Sequence, residues 1–287
     1  IYKDVGLDVT EQVIQGIGSA NAVISGSIDF SESSGLTLTR AVAHGQPLMA
    51  IATTYDRAGF WVVVSKKIAA ERRFDPKAPL AERAKVMKGL RFAVGAIRAI
   101  PEAYLNVIAK AGNLNPATDL VVTAMAPTDT VPAMARGAID GFSEGPPELE
   151  EAINDGLGVV VADGNDAPVD PPWLARIAAN VLLVRRQTCE THRSLCAKMG
   201  RSIADANEFL HQHPKESMTI LKKRLNITDE AVLSDTYKRV VAASPTPPVS
   251  DAKAIATADD LNVAAGFMKE SEKLPSYDKL FTNEFLK

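Results

Sequence analysis

The chain has 287 residues, of which 46% are hydrophobic and 23% are charged, and its formal net charge is -3. This length fits one large domain or two modest ones, and the composition is that of a globular protein. The near balance of 32 basic and 35 acidic residues argues against a nucleic-acid-binding protein, which would carry clustered Lys and Arg. The longest apolar runs, at residues 61–64 and 181–184, are as short as strands, and no segment is predicted to span a membrane.

Short apolar segments alternate with helical ones over the first two-thirds of the chain. Strands are predicted at residues 7–9, 28–30, 48–53, 60–64, 90–94, 120–123, 139–142 and 158–162. Helices are predicted at residues 20–25, 36–43, 101–111, 130–136 and 147–154, and a charged, Pro-containing surface segment at 66–88. Alternating strands and helices with short links predict an α/β fold in which mostly parallel sheets are flanked by helices.

The last third of the chain has a different pattern. After a strand at residues 181–184, residues 191–223 carry apolar side chains at helical spacing. The remainder is also predicted to be helical, with Pro-rich breaks at residues 244–249 and 274–275. This pattern predicts a helical cap packed on one lobe of the protein.

Two related segments form an internal repeat. Gly26 is followed by Ser27, Ile28 and Asp29, and Gly137 is followed by Ala138, Ile139 and Asp140; Ser-Glu comes shortly after each copy. In each copy a Gly in the left-handed cap conformation would end a helix, and Ile would open a strand. Because αβ units often close in this way, coincidence is one interpretation; two lobes built from the same unit is the other.

Two lobes require the chain to cross between them. A first crossing is predicted at Lys88-Gly89-Leu90 and a return at Asp170-Pro171-Pro172-Trp173. Lobe one would then contain residues 1–88 and 181–287, and lobe two residues 89–180. Ligands of open α/β sheets bind at the carboxyl ends of strands, so two facing sheets would form a cleft that closes about the crossings.

An ordered series of short motifs resembles the substrate-binding proteins of ABC importers, in the group for sulfonates, nitrate, taurine and thiamine-pyrimidine precursors. The motifs are Gly6-Leu7-Asp8-Val9, Gly18-Ser19-Ala20, Ser25 to Phe30, residues 47–53, Lys88 to Arg91, Ala111-Gly112, Arg136 to Asp140 and Pro146-Pro147-Glu148. Each motif is weak alone, but their order and spacing cover essentially the whole chain. The resemblance implies the type II periplasmic-binding fold, with lobe one made from both ends of the chain.

The resemblance has one large departure. Members of the group begin with a strand and a helix that precede the Gly-Leu-Asp-Val motif, whereas this sequence starts at Ile1, within the end of that helix. Either the sequence is trimmed or lobe one is rearranged. Trimming is the favoured interpretation, because the loss of a central strand would leave backbone groups of its neighbours unpaired.

Candidate ligand-binding residues of lobe one follow predicted strands. Small residues before a helix would expose backbone N–H groups to a polar or anionic ligand, although a simple helix cap explains them as well. Hydroxyls and a ring at the end of a strand could contact the ligand, or they could form an ordinary turn. The candidates are Gly18, Ser19, Ala20, Ser31, Thr53, Thr54 and Tyr55.

In lobe two, residues 96–102 replace the Gly-Ser helix start common in the group with an apolar loop. The apolar loop favours an organic ligand over a strongly hydrated oxyanion. Arg98 could pair with a carboxylate or sulfonate, or it could be a solvated side chain. The cap-like cluster at residues 128–130 and the end of the repeat strand are further positions. The candidates are Arg98, Ala99, Thr128, Ser143 and Glu144.

Cys189 and Cys196, the only cysteines, lie seven residues apart and could be bridged only if a helix starts between them; free buried thiols are the alternative. His44, His192, His211 and His213 form no metal motif, and no catalytic triad or phosphate loop is present. We therefore expect neither a metal site nor a cofactor.

The sequence predicts a periplasmic or other extracytoplasmic solute-binding component of an ABC importer. It would be a monomer that closes on a small organic ligand, such as a sulfonate or carboxylate, and docks on a permease; it would not bind nucleic acid. The alternative is an enzyme on the same fold, of the dehydratase or pyrimidine-precursor synthase type. The synthase would need a cysteine-rich cluster, whereas the two cysteines lie in the predicted helical cap.

Overall fold

The computed structural model describes residues 1–14, 18–166 and 168–287. Two separate sheets organise these residues. The three-stranded sheet of lobe one consists of β1 (Phe30–Ser34), β2 (Leu48–Tyr55) and β8 (Asn180–Arg185), in the order β1-β8-β2. The central strand β8 runs antiparallel to both neighbours. Helices α1 (Gly18–Ser25), α2 (Gly35–Ala43), α9 (Arg186–Thr191) and α10 (Arg193–Gln212) belong to the same lobe.

Lobe two contains a five-stranded sheet in the order β5-β4-β6-β3-β7. Its strands are β3 (Trp61–Ser65), β4 (Arg91–Val94), β5 (Val121–Ala124), β6 (Gly141–Glu144) and β7 (Gly158–Asp163). Strand β4 is parallel to β5 and β6, whereas β3 is antiparallel to β6 and β7. The helices are α3 (Lys66–Glu71), α4 (Leu80–Arg83), α5 (Ile100–Ala111), α6 (Pro116–Asp119), α7 (Pro127–Ala135) and α8 (Glu148–Asn154).

The remaining helices are α11 (Pro214–Leu225), α12 (Glu230–Ala243) and α13 (Ala252–Ala264). The predicted helical cap is present, but it also reaches lobe two. Helix α13 packs against both α2 and α5, and α12 contacts α8. From α12, Arg239 forms an ion pair with the buried Glu150 of α8 at 2.6 Å and lies over the Trp61 ring. The C-terminal helices therefore connect the lobes as well as covering lobe one.

The α/β architecture is confirmed, but three details of the sequence prediction are wrong. The strands are not mostly parallel: both strand pairs of the lobe-one sheet are antiparallel and the lobe-two sheet is mixed, because β3 and β8 arrive from the other lobe without a crossover helix that would align them. Residues 7–9 form no strand, since no neighbouring strand among the described residues pairs with them. Because β3 belongs to the second sheet, the first crossing lies at residues 56–60, earlier than the predicted position at Lys88-Gly89.

The two copies of the repeat adopt the same local structure. Gly26 and Gly137 both have positive φ, 79° and 72°, and each follows a helix. The N–H groups of Gly26 and Ser27 donate to the carbonyls of Val23 and Ala22. In the second copy, the N–H groups of Gly137 and Ala138 donate to Met134 and Ala133 in the same pattern. This pair of hydrogen bonds is the Schellman cap. The cap places the Gly in the left-handed conformation, which explains why Gly is needed at both positions.

Cys189 and Cys196 form a disulfide, with 5.5 Å between their Cα atoms. The bridge is possible because α9 ends and α10 begins on either side of His192, which breaks the helix between the two cysteines. Within the described ranges, no helix has the length and apolar character needed to cross a membrane.

Candidate functional site

A cleft of about 340 Å³ lies between the two lobes. On the lobe-one side it is lined by the end of β1 and the start of α2, and on the other side by the loop after β4 and the start of α5. This volume falls in the range of small-molecule sites. The lining includes Ile14, Ser19, Glu32, Ser33, Ser34, Thr37, Arg40, Phe60, Gly95, Ala96, Ile97, Arg98, Ala99, Ile100, Pro101, Pro127 and Asn180.

Helix N-termini from both lobes border the cleft. In α2 the cap is satisfied internally, because the Ser34 hydroxyl accepts the Thr37 N–H at 3.2 Å. Helix α5 begins after Ala99 with no side-chain cap, and its first turn, Ile100 and Pro101, lines the cleft. The start of a helix carries unpaired N–H groups and partial positive charge. Pro101 has no N–H, so the Ile100 N–H is the lining donor that the start of α5 can offer to a negatively charged group.

Arg40 projects from α2 to the cleft and is only 8% exposed. Its guanidinium donates to the Asn262 side-chain oxygen at 2.6 Å and to the Arg98 backbone oxygen at 2.8 Å. Asn262 is fixed in turn by bonds from its amide to Leu36 and Thr39. Both partners of Arg40 are neutral, and no ion pair to a carboxylate is formed among the described residues. Burial, together with the Arg98 charge, lowers the pKa of Arg40 to about 10, and the Glu102 carboxylate opposes this shift.

Arg98 brings a second cation to the same place. Its backbone has a positive φ of 58°, and its N–H donates to the Glu102 carboxylate. Its guanidinium donates to the Phe267 backbone oxygen at 2.8 Å and lies 5.1 Å from the centre of the Phe267 ring. Arg40 lies 5.6 Å from the same ring. Two guanidiniums that share one aromatic ring repel each other, and an anionic ligand would relieve that repulsion.

Among the described residues of the cleft lining, Glu32 is the one carboxylate, and it extends from β1. The Thr54 hydroxyl of β2 donates to it, which holds the carboxylate in place. Thr54 thus contributes to the cleft indirectly, through Glu32. Thr53 is almost fully buried, and its hydroxyl forms a hydrogen bond with the Ser250 hydroxyl at 2.8 Å. A ligand that carries a hydroxyl or amine beside its anionic group could donate to Glu32.

Glu144 lies behind the cleft wall of lobe two. It is 4% exposed, and its carboxylate accepts the Gly95 N–H. A Cβ on Gly95 would lie 3.3 Å from both Glu144 oxygens, so glycine allows this close approach. Burial raises the pKa of Glu144 to about 8, and the nearby Glu148 charge adds to the effect. The adjacent Ser143 is completely buried.

Some of the predicted site residues line the cleft, and the others lie in the core or elsewhere on the surface. Ser19, Arg98 and Ala99 line the cleft, with Gly18 at the first position of α1. Ala20 packs in the lobe-one core, and Tyr55 packs against the core of lobe two. Thr128 is exposed in the first turn of α7 and does not cap it, because the helix starts one residue earlier than Thr128. Ser31 is buried at the side of β1, where its hydroxyl donates to the Glu32 carbonyl.

Several lining residues were not predicted from the sequence. Arg40 lies inside a helix whose pattern resembled an ordinary amphipathic one, and its burial depends on Asn262, 222 residues away. Ser34 and Thr37 could have been found, since Ser-Ser-Gly before an apolar helix is an N-cap signal. Nothing local marks Phe60 or Asn180. In the part of the chain that the structure describes, no three His, Cys, Asp or Glu side chains come together as a metal site.

Two α/β lobes, two chain crossings and a polar cleft between the lobes define the two-lobed type II periplasmic-binding-protein fold. The chain belongs to the NMT1-like family, whose model matches residues 1–224. No curated protein matches the sequence.

Solved structures with the same fold support this classification. A protein of Bordetella bronchiseptica RB50 has a TM-score of 0.79 at 20% identity, over 99% of this chain and 87% of its own. The alkanesulfonate-binding protein of Xanthomonas axonopodis pv. citri, solved with MOPS, has a TM-score of 0.67 at 18% identity, over 93% of this chain and 84% of its own. The periplasmic nitrate-binding protein of Synechocystis PCC 6803 has a TM-score of 0.65 at 15% identity, over 94% of this chain and 76% of its own. The alkanesulfonate-binding and nitrate-binding neighbours belong to the group that the sequence motifs indicated.

Proposed function

We propose that the chain is the solute-binding component of an ABC importer and that it closes on a small organic anion, a sulfonate or a carboxylate. The observation that carries the proposal is Arg40, a buried guanidinium at the cleft with neutral partners only. Burying a cation whose hydrogen-bond partners are all neutral is costly, and a bound anion would offset that cost. The uncapped start of α5 adds the Ile100 N–H as a donor on the facing lobe.

The rest of the cleft favours an organic ligand over a small inorganic oxyanion. The loop after β4 contributes Ala96, Ile97 and Ala99, and Phe60 lies on the same cleft. These side chains offer apolar surface but no donors, so this part of the cleft would contact the body of an organic ligand but would stay empty beside a small ion. A ligand with an apolar body and one anionic head satisfies both parts of the site. The neighbour solved with MOPS holds an organic sulfonate.

Closure would couple binding to transport. Arg40 of lobe one already bonds the Arg98 carbonyl of lobe two, so an anion placed between the guanidiniums would hold the lobes together. A ligand shifts the open–closed equilibrium by its differential affinity for the closed state, and the closed form would then dock on the permease. We propose binding without chemical conversion, by a monomer, outside the cytoplasm. The Cys189–Cys196 disulfide supports an oxidising compartment.

The test is a thermal-shift screen of the purified protein against alkanesulfonates, aromatic and aliphatic carboxylates, nitrate, sulfate and pyrimidines. We expect stabilisation by organic anions, growing with ligand concentration, and none by pyrimidines or nitrate. A ligand at about 100 times its Kd should add about 2.7 kcal/mol to the free energy of unfolding. If mass spectrometry finds the ligand chemically unchanged after prolonged incubation with the protein, the result supports binding. If the ligand is converted to a product, the result favours the enzyme alternative.

Matched variants connect the response to the cleft. Arg40→Met should abolish the shift given by the best ligand, and Arg40→Lys should retain part of it because the charge remains. Arg136→Met, which removes an exposed arginine that is not part of the cleft lining, is the control and should respond like the wild type. If Arg40→Met binds the ligand with unchanged affinity, the cleft assignment is wrong.

A further inference from the structure

Arg239 of α12 makes a contact between the lobes at a place separate from the cleft. Its guanidinium carbon lies 4.8 Å from the centre of the Trp61 ring, at the first residue of β3. The same guanidinium forms ion pairs with Glu150 of α8, at 2.6 Å, and with Asp166, which follows β7. None of these residues is among the described residues that line the cleft. The contact can therefore act on a ligand only through the positions of the lobes.

The two sides of this contact are anchored in different lobes. Helix α12 is fixed to α10 of lobe one, because the Tyr237 hydroxyl donates to the Leu210 carbonyl at 2.9 Å. Helix α8 is fixed to lobe two, because its Leu149 and Ala152 are buried in the apolar cluster that covers β3 and β6. A hinge motion between the lobes therefore changes the distance between α12 and α8.

The Glu150 carboxylate depends on this contact. The residue is 4% exposed, and apart from the ion pair with Arg239 its two oxygens have no hydrogen-bond partner among the described residues. A buried charge that loses its partner is costly, whereas a charge that reaches water is not. Without Arg239, an arrangement of the lobes that exposes Glu150 to water would therefore gain relative to the one described above.

We propose that Arg239 is a latch between the lobes, which holds α12 on α8 and favours the closed arrangement over the open one. The guanidinium supplies two ion pairs and a cation–π contact, and all three connect lobe one to lobe two. Arg239 is a positioning residue, because it acts on a ligand through the equilibrium between the lobes. The effect of the latch on ligand affinity rests on the proposed binding function, whereas its effect on the lobes does not.

Acid should release the latch, because the ion pair requires an ionised Glu150. Burial raises the pKa of Glu150, the Arg239 charge opposes this shift and the Asp235 charge adds to it. Glu150 should therefore take up a proton, and lose the pair, at a higher pH than an ordinary glutamate. The other charged side chains at α8 and at the elements packed against it are Glu148, Glu151 and Asp155 of α8, Asp129 and Arg136 of α7, Asp163 of β7, and Glu230, Asp235 and Lys238 of α12. Of the two cations in this set, Lys238 pairs with Asp235 and Arg136 is exposed.

Trp61 reports on the latch once the exposed Trp173, the other tryptophan of the chain, is replaced by Phe. Trp61 is 1% exposed, so its fluorescence emission should move to longer wavelength when α12 leaves the ring and water enters. In this Trp173→Phe parent without ligand, Arg239→Met should shift the emission and increase the radius of gyration measured by small-angle scattering. Acidification should shift the emission of the parent, whereas Glu150→Gln should show part of that shift at neutral pH and respond less to acid.

Arg201→Met is the matched control. Arg201 forms an ion pair of the same length, 2.6 Å, with Asp205, but both residues lie in α10 of lobe one. Its emission and radius should equal those of the parent. Arg239→Lys keeps the charge without the planar guanidinium and should shift less than Arg239→Met. The double variant Arg239→Met/Glu150→Gln leaves no unpaired carboxylate at position 150, so it should be less open than Arg239→Met. If Arg239→Met does not fold, Arg239→Lys and Glu150→Gln test the same contact.

Calorimetry with butanesulfonate, as the organic-anion probe, measures the effect of the latch on binding. Arg239→Met should bind it about tenfold more weakly than the parent, although every residue of the cleft lining is retained. An unchanged emission and radius in Arg239→Met would overturn the latch, as would an equal shift in Arg201→Met or an unchanged affinity for butanesulfonate. Absence of butanesulfonate binding by the parent would count against the proposed function, and the two ligand-free measurements would then decide on the latch by themselves.

Discussion

The Arg40 guanidinium donates to the backbone oxygen of Arg98 at 2.8 Å, and this bond joins lobe one to the loop of lobe two that borders the cleft. The Arg98 guanidinium makes the return connection, to the Phe267 carbonyl after α13. The two cations are therefore part of the contact between the lobes as well as of the candidate anion site. A ligand that binds between them acts on the same groups that set the distance between the lobes.

Arg98→Ala should weaken binding of an organic anion about tenfold and make the unliganded protein more open. The variant loses one cation and the bond to Phe267, but keeps the carbonyl that Arg40 contacts. Calorimetry gives the affinity, and small-angle scattering gives the radius of gyration. The ligand affinity of Arg98→Lys should fall between those of Arg98→Ala and the wild type, because Lys retains the charge without the planar donor pair. An unchanged affinity and radius in Arg98→Ala would show that its side chain is simply solvated.

Gly35→Ala should destabilise the protein by about 2–3 kcal/mol because the new methyl group has no space. Its Cβ would lie 2.2 Å from the Ala178 backbone oxygen, just before β8, where the chain returns to lobe one. Urea unfolding measures the change. Gly45→Ala is the matched control, since no atom lies within 4 Å of its Cβ and only its φ of 79° is unfavourable. That control should cost about 1 kcal/mol, and equal losses in both variants would contradict the steric argument.

Glu144→Gln should change how stability depends on pH. The pKa of this carboxyl is about 8 in the folded protein, against an ordinary 4.5, because of burial and the Glu148 charge. Between those values the folded state holds a proton that the unfolded chain releases, so the free energy of unfolding falls as the pH rises. The variant should match the wild type near pH 4 and be more stable than it near pH 9. Urea unfolding across this range tests the sign, and Glu190→Gln, at an exposed position, is the control.

Tyr55→Ala should reduce stability by about 3 kcal/mol while leaving ligand affinity nearly unchanged. The ring packs against the core of lobe two and does not line the cleft. Burial is also the main reason that its pKa rises to about 12. Tyr55→Phe keeps the ring and should stay within about 1 kcal/mol of the wild type. A large loss of ligand affinity in Tyr55→Phe would instead place the hydroxyl at the ligand.

The parts of the fold that could be predicted from sequence are those with local causes. The caps at Gly26 and Gly137 depend on neighbours within five residues, so the repeat was visible in the printed sequence. The position of β8 between β1 and β2 depends on segments more than 100 residues apart, and no local pattern specifies that pairing. For the same reason β3 was predicted in lobe one, although its apolar residues were identified correctly as a strand.

The site follows the same rule. Arg98 and Ala99 were predicted because the loop after a strand of an α/β sheet is the expected ligand position. Arg40 was missed because its role arises only when α13 packs against α2 and supplies Asn262. Tyr55 was placed at the cleft because it ends a strand, but the side chain turns to the lobe-two core. Which way a side chain turns at a strand end depends on packing that the sequence does not show locally.

The sheet membership of β3 also bears on the order in which the protein can assemble as it is synthesised. All five strands of the second sheet lie within residues 61–163, so that sheet can pair as soon as this stretch has left the ribosome. Strands β1 and β2 are made earlier, but they must wait for β8, which begins at Asn180. The lobe that is started first is therefore the lobe that is finished last, and until then the apolar strand β2 stays available to chaperones.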